Sequence, residues 1–223
     1  MSLLSALKKV LLPAGREWRT IKWGPAKGIR MKLDLSDQAQ RYFGLDEREL
    51  FRPLLSIMPE CRSMVDVGAN DGYYTLMFLR SQASRIVACE GGPVQRLQEN
   101  AAANGFHPDE RFVVVNREIG TGASQTPLRE IIENLPGPIL VKLDVEGGEW
   151  DVLQSCLPLD RPGELHCIVE THSLELEEKC RQWFTEHDFN SRIIPNSSWR
   201  WLLPEKRLIT HNRWLLAVPK KEE

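Results

Sequence analysis

The sequence predicts an open, doubly wound α/β fold with a mostly parallel sheet and an antiparallel hairpin at its C-terminal edge. Three observations predict it. From residue 63 onward, short apolar runs bounded by turn residues alternate with helical segments, as in repeated strand–helix units. The runs are nearly continuous in their apolar character, as strands covered on both faces are. Two strand-like runs return after the last long helix, which suits an edge hairpin.

Residues 1–45 read as an N-terminal extension and 46–223 as the main domain. Leu3, Leu7, Val10 and Leu11 recur at helical spacing with Lys8 and Lys9 off the stripe, predicting a short amphipathic helix that docks on the domain. The lysines follow the apolar start and no small-residue cleavage site follows Leu12, so the opening does not read as a signal peptide. Residues 13–45 are loosely patterned, with a strand at 29–35. Asp46 reads as a helix cap, with Glu49 three residues on and Leu50, Leu54 and Leu55 as an apolar face. Pro53 lies inside this stretch and marks a start or a kink. Strands follow at 64–67, 86–89, 112–115, 139–143 and 165–169. Helices fall at 73–80, 93–104, 128–134, 149–156 and 174–187, and the last strands lie near 191–194 and 214–219.

Composition narrows the function classes. With 223 residues, 42% hydrophobic, 27% charged and a net charge of −2, the chain is long enough to bury a core. Nothing global points to nucleic acid as partner. Lys8, Lys9, Arg16, Arg19, Lys22, Lys27, Arg30 and Lys32 face only Glu17 in the first 32 residues, a charge run read as a solvated face. Five cysteines form no C-x-x-C pair, and Cys89 and Cys167 stand in apolar runs; this is the usage of a reduced, cytoplasmic protein. No apolar run approaches a membrane span. The oligomeric state is not legible.

The chemistry-bearing residues sit at predicted strand ends. The first strand runs into Asp66-Val67-Gly68-Ala69-Asn70-Asp71-Gly72 and then a helix. Glycines at 68 and 72 let the backbone turn tightly and approach a ligand, and ligands of such sheets bind at the carboxyl ends of the strands. A dinucleotide site asks for G-x-G-x-x-G there. This turn has G-x-x-x-G flanked by Asp66 and Asp71, which suits a ligand carrying an ammonium and a sulfonium better than a pyrophosphate. Glu90 ends the second strand about 20 residues later, where an acidic side chain accepts ribose hydroxyls.

Two motifs carry a family resemblance. Val65–Thr75 resembles the first motif of the FkbM methyltransferases, D-V-G-A-N-x-G-x-x-T. Lys142-Leu143-Asp144-Val145-Glu146-Gly147-Gly148-Glu149 resembles their second, K-x-D-V-E-G-x-E. The lead-in Gln40-Arg41-Tyr42-Phe43-Gly44 is similar too. The resemblance implies a class I, Rossmann-like seven-stranded methyltransferase fold with S-adenosylmethionine as cofactor. It implies that Asp66, Gly68, Asn70 and Gly72 line the methionine half, Glu90 holds the ribose, the segment around Asn116 approaches the adenine, and Asp144 lies next to the transferred methyl. The chain departs from the pattern in a short 116–138 segment and in Gly91-Gly92 before Pro93.

Methyl transfer to a hydroxyl needs a base near the methyl. His172, just past the fifth strand, has an ordinary pKa suited to that work. Asp144, Glu146 and Glu170 form an acidic cluster on adjacent strand ends, and Glu146 and Glu170 are read as substrate contacts. Such carboxylates also allow Mg2+ holding a vicinal diol, the lesser reading; the site is read without metal. Lys142 reads as a strand-edge or substrate-side cation. Trp199, Trp201 and Trp214, with Arg200, Arg207, His211 and Arg213, are read as core beneath the hairpin, or else as a grip on a sugar. The expectation is an O-methyltransferase for a small-molecule or sugar hydroxyl. A nicotinamide-dependent oxidoreductase and a non-catalytic cofactor-binding domain are the alternatives.

Overall fold

A computed structural model describes residues 15–196 and 211–220. The predicted N-terminal helix, Trp199, Arg200, Trp201 and Arg207 lie outside the described residues. Strands β1 (Arg16–Thr20) and β2 (Arg30–Asp34) pair antiparallel as a small separate sheet. The main sheet contains β3 (Ser63–Val67), β4 (Arg85–Cys89), β5 (Phe112–Val115), β6 (Ile139–Leu143), β7 (Leu165–Thr171), β8 (Phe189–Ile194) and β9 (Arg213–Pro219). Their spatial order is β5-β4-β3-β6-β7-β9-β8. The first five run parallel, and β9 lies antiparallel between β7 and β8. This is the predicted seven-stranded, mostly parallel sheet with a C-terminal antiparallel hairpin.

Period-2 alternation divides the core between two faces. Met64, Ile86, Leu140 and Ile168 point to one side, against helices α3 (Tyr73–Leu79) and α4 (Gln95–Ala102). Val65, Val67, Val141 and Val169 point to the other, against α5 (Leu128–Ile132), α6 (Glu149–Gln154) and α7 (Leu174–Glu186). Every residue of β3 and β6 is buried, which explains why these runs lack polar alternation. Trp214 is fully buried in the first face. It is a core tryptophan.

The lead-in is more ordered than its sequence suggests. Ile21, Ile29, Met31 and Leu33 share the core of the α3 side. Asn100 clasps this segment to the main sheet: its Oδ1 accepts from the Lys32 amide at 2.9 Å and its Nδ2 donates to the Asp71 carbonyl at 2.8 Å. Helix α1 (Leu35–Tyr42) is capped by the Asp34 carboxylate, which accepts from the Ser36 amide.

Two expectations are corrected. Asp46 does not cap a helix, because its carboxylate accepts from Arg41 Nε at 2.9 Å. Glu47 instead turns in the left-handed region, a 3-10 turn covers Arg48–Leu50, and α2 (Phe51–Ile57) takes Pro53 in its first turn, where no internal N–H is lost. Lys142 is not at a sheet edge. It stands on β6 between β3 and β7 with its side chain 3% exposed.

Candidate functional site

The chain order reverses between β3 and β6: β3 leads outward to β4 and β5, while β6 leads the other way to β7. Such a switch opens a crevice at the carboxyl ends of the strands. A cavity of about 510 Å³ lies there, lined in part by Gly68, Asn70, Glu90, Gly92, Asp144 and Glu146. That volume is within the range of small-molecule sites, roughly 300–1,000 Å³.

The turns that edge the cavity are held by backbone approach. Gly68 has φ +77°, and a Cβ there would sit 1.7 Å from the Asp144 carbonyl oxygen. Only glycine lets the two strand ends meet. Glu90 ties the next pair of turns: Oε2 accepts from the Asn70 amide and Oε1 from the Gly92 amide, both at 2.7 Å. Asn116 donates through Nδ2 to the carbonyls of Glu90 and Gly92. It braces that loop, and Arg117, Glu118 and Ile119 line the cavity.

Gly68, Asn70, Glu90, Asp144 and Glu146 line the cavity, whereas Asp66, Gly72 and Asn116 do not. Asp66 is fully buried and accepts from Thr75 Oγ1 at 2.6 Å. Lys142 is its cross-strand neighbour in register, and its Nζ lies 3.3 Å from Asp66 Oδ1 and 3.4 Å from Asp144 Oδ2. Burial works to lower the Lys142 pKa, but Asp66, Asp144, Glu47 and Glu170 outweigh it and keep the ammonium charged. Burial likewise works to raise the Asp144 carboxyl, and Lys142, a hydrogen bond with Glu170 and His172 hold it below its ordinary value. Asp71 is committed elsewhere: Arg41 Nη1 bonds it at 2.8 and 3.0 Å, so it does not face a ligand as its motif position suggests.

Glu170 and His172 lie beyond Asp144. His172 is 9% exposed, with Nδ1 bonded to Glu149 Oε1. Its Nε2 faces Asp144 Oδ1 at 3.7 Å and Glu170 Oε2 at 3.9 Å. Burial works to lower the imidazole pKa, and the Glu149 bond and charge, with Asp144 and Glu146, more than reverse it. Strand-end position pointed to His172 and Glu170, with the imidazole's ordinary pKa and the family resemblance adding to the choice of His172. Sequence reasoning missed Glu149 as the partner of His172, since an acid in a helix's first turn reads as a dipole complement. It also missed Glu47, a buried acid that accepts from the Tyr74 hydroxyl; no local pattern marks it.

No protein-family model and no curated protein matches the sequence. Solved structures do resemble the fold. An O-methyltransferase from Bacillus cereus, solved in complex with SAH, superposes with TM-score 0.55 at 18% identity, covering 78% of this chain and 81% of its own. A protein from Pyrococcus horikoshii gives 0.53 at 16% identity, with 93% and 74% covered. A SAM-dependent O-methyltransferase from Thermotoga maritima gives 0.51 at 14% identity, with 80% and 67% covered. The sheet is thus the one found in class I S-adenosylmethionine-dependent methyltransferases. Among the described residues, no helix is long and apolar enough to cross a membrane.

Proposed function

We propose that the chain is an S-adenosylmethionine-dependent methyltransferase of the FkbM type, acting in the cytoplasm on a hydroxyl of a small-molecule or glycosidic acceptor. The observation that carries this reading is Glu90. Its carboxylate is fixed by two backbone amides at the mouth of a cavity that also meets Gly68 and Asp144. Each oxygen keeps a lone pair for a ribose hydroxyl. Gly68 and Asn70 then border the methionine half, with Asp66 and Gly72 bracing that turn. Asn116 acts on the adenine end through the loop it braces. The five buried, free cysteines suit a reducing compartment.

When bound, the cofactor supplies a methyl group activated on a sulfonium. The chain's own residues orient and deprotonate the acceptor. Asp144 lies beside the transferred methyl and aligns the hydroxyl, with Glu146 and Glu170 contacting the acceptor. His172, oriented by Glu149, takes the hydroxyl proton at Nε2 as the C–O bond forms and the C–S bond breaks. The likeness to an O-methyltransferase solved with SAH supports the cofactor choice.

Isothermal calorimetry tests the reading. Wild type is expected to bind S-adenosylmethionine and not NADH, and Glu90→Ala to weaken binding about 100-fold or more through two lost charge-assisted hydrogen bonds. No heat with S-adenosylmethionine, or undiminished affinity in Glu90→Ala, contradicts it.

A further inference from the structure

His172 has two carboxylates in front of Nε2, which a proton-accepting role alone does not require. The fully buried Glu149 accepts the Gly147 amide and the imidazole Nδ1 on the same oxygen, Oε1. A carboxylate on Nδ1–H leaves the lone pair on Nε2, and that carboxylate–histidine pairing is the usual support of a metal-bound imidazole. Nε2 points at two carboxylate oxygens, Asp144 Oδ1 at 3.7 Å and Glu170 Oε2 at 3.9 Å. Both are beyond hydrogen-bond reach. Asp144 directs Oδ2 toward Lys142 and shares a hydrogen bond with Glu170, so the two carboxyls already meet in front of Nε2.

Three ligand atoms, one each from Asp144, Glu170 and His172, lie within 4.8 Å of one another. An ion that binds oxygen and nitrogen at about 2.1 Å spans ligand atoms up to about 4.2 Å apart. The 3.7 and 3.9 Å separations lie below that limit, so small side-chain adjustments bring all three atoms onto one ion. We propose that Asp144, Glu170 and His172 bind a divalent first-row metal ion, with Glu149 as the positioning residue for His172. The nitrogen ligand sets the class of ion. Carboxylates suit Mg2+ and Mn2+, whereas imidazole favours Mn2+ through Zn2+ over Mg2+, so the site differs from an all-oxygen Mg2+ site holding a diol. For its role the proposal rests on the methyl-transfer reading and replaces His172 as its base: an ion beside the acceptor raises the acidity of a hydroxyl, His172 serves as a ligand through Nε2, and the proton leaves to solvent. Its binding does not depend on that reading.

The test uses the full chain, stripped with chelator and desalted, without S-adenosylmethionine. Titration with Mn2+, followed by electron paramagnetic resonance, is expected to show one ion per chain with nitrogen coupling. Zn2+ displaces it and an equal concentration of Mg2+ does not. His172→Ala and Asp144→Asn abolish binding, Glu149→Gln weakens it about 10–100-fold, and the surface variant Glu175→Gln leaves it unchanged. Circular dichroism identifies any variant that fails to fold, and Glu149→Gln then carries the test. No bound Mn2+ or Zn2+ in wild type, or equal affinity in Asp144→Asn and Glu149→Gln, overturns the proposal. Calorimetry with S-adenosylmethionine in chelator separates the two claims: loss of cofactor binding there sinks the methyltransferase reading alone.

Discussion

Glu47 is an ionisable side chain held where water scarcely reaches, and its backbone turns at φ +47°. Burial, then Asp46 and Asp144, push its carboxyl from the ordinary 4.5 to about 7, against the Tyr74 hydroxyl and Lys142. The sign of the linkage follows. The unfolded chain gives up this proton at lower pH than the folded one, so the contribution is full below about 4.5 and is lost as pH rises through about 7. Between those values the loss is on the order of 3 kcal/mol. Urea unfolding of wild type and Glu47→Gln at about pH 5 and about pH 8 checks it: the variant is expected to lose that much less stability on going to the higher pH. Equal slopes contradict it. Glu47 illustrates what the sequence leaves hidden. Its burial comes from the lead-in folding over α3, and no spacing in residues 40–50 encodes a contact with Tyr74.

Strand ends, by contrast, were legible because the pattern that buries a parallel strand stops where the ligand crevice opens. Gly68, Glu90 and Asp144 were all found that way, and β3 to β7 lie within about two residues of their expected bounds. Strand β1 was missed because its residues are exposed and lack an apolar stripe. The cap expected at Asp46 failed because Arg41 competes for the carboxylate, a tertiary contact that a capping pattern cannot foresee. The joined turns after β3 and β6 make a prediction of their own. Gly68→Ala forces a Cβ into the Asp144 carbonyl, whereas at Gly105, with φ +80°, nothing lies within 4 Å. Gly105→Ala is expected to cost only the backbone strain, about 1–3 kcal/mol. Gly68→Ala should cost clearly more and abolish cofactor binding, by thermal melting and calorimetry. Similar melting of the two variants contradicts the close approach.

Across the whole molecule, the lead-in and the sheet act together on the site. The lead-in contributes core residues on the α3 side and the turn that follows it contributes Glu47, while α6 on the other side supplies Glu149 to His172. The doubly wound topology brings Gly68, Glu90, Asp144 and His172 from four stretches of sequence to one end of the sheet. That convergence could be foreseen from strand order, but the division between wall and support could not. Asp66, in the first motif, bonds Thr75 and Lys142, which only cross-strand register reveals. We propose that the cavity between Gly68 and Glu90 holds S-adenosylmethionine with its methyl toward Asp144. Diffraction from crystals of the full chain grown with S-adenosylhomocysteine tests this most directly. The ribose is expected on the Glu90 carboxylate and the sulfur facing Asp144; ligand bound elsewhere, or a saturated crystal with nothing in this cavity, would overturn the assignment.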